Sequence, residues 1–119
     1  MEHSPVTLVE FPADDPERAR RFWQSVLGLT LEERRPGEGR GWQTHTPGAS
    51  LGVHARGSGP GDRHSLPYFA VPDLPEALAR VASVGGEVIH PGAAFAVCRD
   101  SEGNPFGLTS AAVGPIQAP

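Results

Sequence analysis

Two stretches of the chain share one order of apolar and polar positions. Each begins with a short apolar run, VTLVEF (6–11) and LPYFAV (66–71), and passes through an aspartate, a proline and a glutamate into a segment with helical periodicity. In the first copy Asp14-Asp15-Pro16-Glu17 leads into a helix predicted from about Pro16 to Leu27. Ala19, Phe22, Trp23 and Val26 recur there at i, i+3, i+4 and i+7 and form one apolar stripe, with Arg18, Arg21 and Ser25 off it. Gly28 supplies the stop. In the second copy Asp73-Leu74-Pro75-Glu76 opens a helix predicted from about Pro75 to Val84. Its stripe is Leu74, Leu78, Val81 and Ala82, and Gly85-Gly86 ends it. The aspartate can cap free N–H groups, proline is tolerated in the first turn, and glutamate favours the positive end of the helix.

Three strand-like stretches follow each helix: LTLEERR, GWQTHT and SLGVHAR in the first half, GEVIHP, AFAVCR and PFGLTS in the second. The order is βαβββ twice, an α+β class with a first module at about 5–56 and a second at about 65–111. A glycine-rich joint at 57–64 separates them, and the tail 112–119 is expected to lack a fixed place unless a partner holds it. One helix covers one face of each module's sheet. The other face needs the second half, another chain or a ligand, so an open cleft is expected. The final hairpin, CRDSEGNPFGLTS from Cys98 to Ser110, turns on Asp100, Ser101, Gly103 and Asn104, and it carries Gly107 between Phe106 and Leu108.

Alternation sorts the strands into faces. Thr7, Val9 and Phe11 are predicted toward the helix, with Leu8 and Glu10 toward the cleft. Leu51, Val53 and Ala55 likewise face the helix, leaving Gly52, His54 and Arg56 in the cleft. Phe95 and Val97 are predicted toward the helix, with Ala96 and Cys98 opposite. For GWQTHT both phases stay open, Trp42 with Thr44 and Thr46, or Gln43 with His45. The cleft candidates are therefore Glu10, Trp42 or His45, His54, Arg56, Tyr68, Cys98 and Gly107. Each has a structural alternative. Glu10 can pair with Arg56 at a sheet edge, His54 can be a hydrogen-bonded sheet histidine, Trp42 and Tyr68 can be core or interface, and Cys98 can be a small buried apolar residue.

Composition narrows the partners. A length of 119 residues fits one domain. A net charge of −4 without a basic run argues against nucleic acid. A lone cysteine excludes an intrachain disulfide and a thiolate zinc cluster. MEHSPVTLVEF has no basic region before an apolar run, and no stretch is long enough to span a bilayer, so a cytoplasmic protein is expected.

VEFPADDPERARRFWQSVLGLTL, AVPDLPEALARVASVGGEVIHPG and RDSEGNPFGL, in that order over about residues 5 to 111, resemble the vicinal oxygen chelate superfamily. That group contains glyoxalase I, extradiol dioxygenases, and fosfomycin- and bleomycin-resistance proteins. The resemblance implies the glyoxalase/bleomycin-resistance/dioxygenase fold, a mixed cupped sheet with outer helices, and a homodimer. It also implies metal ligands on the inner face of the first and last strand of each half. Those places fall here on Leu8, Gly52, Pro67 and Gly107, which offer no side-chain donor. The expected function is metal-free binding of a small organic molecule, of the drug-sequestering type, with no cofactor. Two alternatives stand beside it: a divalent-metal lyase, isomerase or dioxygenase using Glu10 and His54, and a metal-free enzyme with Glu10 as general base.

Overall fold

The computed structural model describes residues 4–59 and 62–110. Its elements are β1 (Val6–Ala13), α1 (Pro16–Leu27), β2 (Glu32–Glu33), β3 (Trp42–Gln43), β4 (Ser50–Ala55), β5 (Leu66–Val71), α2 (Leu74–Ser83), β6 (Glu87–His90), β7 (Phe95–Arg99) and β8 (Pro105–Ser110). The α+β class and the doubled βαβββ order are as predicted. The tail 112–119 and residues 60–61 of the joint lie outside the described residues. No helix among the described residues is long and apolar enough to cross a membrane.

The described residues divide into two compact units, one within Leu8–Ser65 and the other made of Leu66–Ser110 with Ser4–Thr7. Those leading residues are tied in by backbone and side chain. Ala70 N–H donates to Pro5 O at 3.1 Å, and the Thr7 hydroxyl donates to Tyr68 O at 3.4 Å. In the first unit β4 pairs parallel with β1 and antiparallel with β3, which pairs antiparallel with β2. The second unit repeats this plan: β8 pairs parallel with β5 and antiparallel with β7, which pairs antiparallel with β6.

The helix caps correct the sequence alignment of the two halves. Asp15 accepts from Arg18 N–H and Asp73 from Glu76 N–H, each at 3.1 Å. The cap equivalent to Asp73 is thus Asp15, whereas the motif match pairs Asp73 with Asp14. The strands before the helices shift by the same residue. Glu10 now corresponds to Tyr68 and Leu8 to Leu66. The ladders agree, since Glu10 faces Gly52 across β1/β4 and Tyr68 faces Gly107 across β5/β8. The inner-strand place assigned to Pro67 belongs to Leu66, which is fully buried and has no donor either.

Each helix packs on its own sheet. Under α1, Ala13, Leu31 and Val53 form a core with Ala19, Trp23, Leu29, Trp42 and Leu51, and the Phe11 ring stacks on Trp23 with centroids 4.7 Å apart. The stripe is narrower than predicted, because Phe22 and Val26 are 55% and 58% exposed. Under α2, Val71, Leu74, Ala96, Cys98 and Leu108 are buried against Ala77, Leu78 and Val81, while Ala82 is exposed. At the last turn the Asp100 carboxylate accepts from the N–H groups of Glu102 and Asn104 at 2.9 and 2.8 Å, closing the hairpin expected there.

Candidate functional site

On the face of the first unit away from α1, register brings Leu8, Glu10, Glu32, Gln43, Gly52 and His54 to one side. Glu10 does not pair with Arg56. Its carboxylate is bound by the Arg34 guanidinium, which arrives from the loop after β2. The two side chains are 12% and 6% exposed, so this is a buried ion pair, unlike the chain's surface pairs. Arg34 Nη1 donates to Arg40 O at 3.3 Å, and its Nε is buried with no partner. Gly52 makes room for it, since a Cβ there would collide with Arg34 Nη2. His54 Nε2 lies 3.7 Å from Glu10 Oε1, and its Nδ1 donates to Ala55 O at 2.9 Å.

The loop carrying Arg34 is fastened by His45. Nδ1 of the ring meets Glu32 at 2.8 Å and Nε2 meets Glu38 at 2.9 Å. Carboxylates only accept, so both ring nitrogens donate in this arrangement. Burial acts to raise the Glu38 pKa. The Arg35 N–H, the His45 hydrogen bond and the charges of His45 and Arg35 together outweigh it, and the carboxyl is held below its ordinary 4.5. A depressed folded-state pKa stabilises the fold above the unfolded value, and this is lost as pH falls through the folded value. Urea unfolding of wild type and Glu38→Gln across pH 3–7 should therefore show wild type ahead at neutral pH. The gap should be flat above the ordinary value and close below it; a gap unchanged down to pH 3 would contradict the assignment.

On the corresponding face of the second unit, Tyr68, Val97 and Gly107 lie together. The Tyr68 ring lies against Gly107, so a Cβ at 107 would overlap its Cδ2 and Cε2. Phe95 meets Tyr68 edge-on with centroids 6.3 Å apart.

Three candidates are elsewhere. Trp42 pairs with Val53 and belongs to the core under α1, with the Arg20 guanidinium 5.7 Å from its ring centroid, so Gln43 and His45 take the opposite phase. Cys98 is completely buried under α2, and burial pushes its thiol pKa up. The faces of β7 are the reverse of those predicted, because Ala96 and Cys98 are the small residues that let α2 approach. Arg56 stands at the exposed end of β4 and donates to Asp14 at 3.0 Å. The sequence reading missed Arg34. Its signal was alternation from Leu31, which puts Glu32 and Arg34 on one face.

These residues do not fit a metal. The inner strand places hold leucine and glycine, Glu10 is engaged by a guanidinium, and among the described residues no group of three or more His, Cys, Asp or Glu side chains is placed to hold an ion.

The sequence profile described as Glyoxalase-like domain matches residues 8–109. Similar solved structures include a hypothetical protein from Bacillus halodurans C-125, at 16% identity and TM-score 0.71 over 99% of each chain. A methylmalonyl-CoA epimerase from Mycobacterium tuberculosis is 20% identical, with TM-score 0.64 over 89% of this chain and 87% of its own. A glyoxalase/bleomycin resistance protein/dioxygenase superfamily member from Vibrio splendidus 12B01 is 16% identical, with TM-score 0.61 over 91% and 98%. No curated protein matches the sequence.

Proposed function

The chain belongs to the Glyoxalase-like domain family, and from that premise we propose that it binds a small organic molecule without a metal, in the manner of a sequestering protein. The observation that carries this reading is the Arg34 guanidinium lodged against Glu10 over Gly52. It engages the carboxylate that a metal-dependent or general-base mechanism would need free, and it leaves a polar wall suited to recognition. Solved relatives of this fold include an epimerase bound to methylmalonyl-CoA, which supports a small-molecule site on this architecture. The protein acts in the cytoplasm as a homodimer; the exposed Phe22, Val26 and Leu27 of α1 supply apolar surface for association.

A thermal-shift panel of aromatic and peptide-like antibiotics, run on chelator-free protein with elemental analysis, tests the reading. A ligand present at a hundred times its Kd adds about 2.7 kcal/mol to apparent stability, a shift of several degrees. Stabilisation by one compound class with no stoichiometric metal is the expected result. Stoichiometric metal lost in Glu10→Gln, or no stabilisation by any class, would overturn it.

A further inference from the structure

We propose that the inner face of the first unit is a guanidinium subsite built around Glu10, which the chain's own Arg34 fills and which a ligand bearing a guanidine or amidine group takes by displacing it. The inference rests on the binding reading above and names the ligand class.

The site is shaped for a flat cation. One edge of the guanidinium meets Glu10 Oε2, Nη1 finds the Arg40 carbonyl, and the missing side chain at Gly52 admits the plane of the group. Glu10 is itself 12% exposed, so an incoming group finds it largely out of water, where a charge-assisted pair is strong.

The resident group is incompletely satisfied. Arg34 is 6% exposed, yet its Nε is buried without an acceptor. An N–H that loses water and gains nothing carries a desolvation penalty, and the side-chain tether keeps Arg34 from turning to relieve it. A free guanidinium has no tether. Glu10 Oε1 has His54 Nε2 at 3.7 Å, beyond hydrogen-bond range, so a forked donor finds a second acceptor there. Arg34 leads a loop whose Gly37, Gly39 and Gly41 all have positive φ, of 90, 91 and 113°, and the Glu32–His45–Glu38 contacts hold that loop in place when the side chain swings out. The net charge of −4 favours a cation over an anion.

Arg34→Ala empties the subsite. The variant should melt about 10 °C below wild type. Methylguanidinium at about 10 mM, far below denaturing concentrations, should restore at least half of that loss, with equal NaCl and equal urea as controls that restore none. The double variant Glu10→Gln/Arg34→Ala should not respond. Benzamidine should bind Arg34→Ala at least about tenfold more tightly than wild type by calorimetry, because wild type must first expel its own side chain. Equal rescue by NaCl, rescue in the double variant, or a folded Arg34→Ala that no guanidinium stabilises would each overturn the proposal. If Arg34→Ala does not fold, the same titrations on Arg34→Ser, which also leaves the guanidinium's place empty, give the answer, and absence of benzamidine binding there overturns it. Failure here with a positive antibiotic panel would leave the binding function intact and remove only the subsite; a negative panel with successful rescue would do the reverse.

Discussion

Glu10→Ala is expected to destabilise the protein by about 3 kcal/mol or more. The loss comes from what remains rather than from what is removed. Without Glu10, the Arg34 guanidinium stays nine-tenths buried beside the neutral Arg40 carbonyl and an Nε that already lacks a partner. A cation in that position must either pay desolvation or pull its loop outward. Urea unfolding measures the cost. The m value should stay near that of wild type if the loop holds, and it should change if the loop opens in the native state. Removing both charges separates the two contributions. Glu10→Leu/Arg34→Met keeps much of the buried volume and leaves no orphaned ion, so it should recover most of the stability lost by Glu10→Ala. A single-variant loss below about 1 kcal/mol would place the pair with ordinary surface bridges such as Arg56–Asp14, and the burial argument would fail.

Gly107→Ala is expected to cost about 2–3 kcal/mol although it adds only a methyl group. The backbone at 107 is not in the left-handed region, so the penalty is steric. The added carbon would lie 2.8 Å from Tyr68 Cγ and closer still to the ring carbons beyond it. Tyr68 is 6% exposed and held against Phe95, so it cannot turn away cheaply. A double-mutant cycle with Tyr68→Ala tests this. The pair should be less harmful than the sum of the singles by about 1 kcal/mol or more, and additivity would show that the ring is not what Gly107 accommodates. The same contact explains why a carboxylate placed at 107 would meet an aromatic ring before it met solvent.

The repeat, the two capped helices and the strand count were legible because each rests on local chemistry: an Asp-Pro-Glu entry, a glycine exit, and alternation over five or six residues. The limits of that legibility are equally physical. Two adjacent aspartates, Asp14 and Asp15, offer two caps, and only the hydrogen bond to Arg18 N–H chooses between them. Strand β3 spans two residues, too few to fix a phase, so Trp42 could not be assigned to its helix. In AFAVCR every residue before Arg99 is apolar or nearly so. Alternation alone admits either pair, and Phe95 with Val97 is the one expected toward the helix, whereas close approach of α2 selects Ala96 and Cys98. The Glu10–Arg34 pair joins a strand to a loop far along the chain, and nothing in the sequence around either residue names the other. Alternation placed Glu10 and His54 on one face correctly, but it could not show that a third side chain would occupy the space between Glu10 and Gly52.

The glycines at 52 and 107 occupy matching places in two copies of one plan, and each is roofed by a neighbouring side chain. In one copy the roof is a charged fork held by a carboxylate; in the other it is a phenol ring resting on carbon. Loss of one partner charge therefore acts on the first half, while the second answers mainly to added volume and to the apolarity of whatever touches it. One repeated ladder thus supports two surfaces of different chemistry.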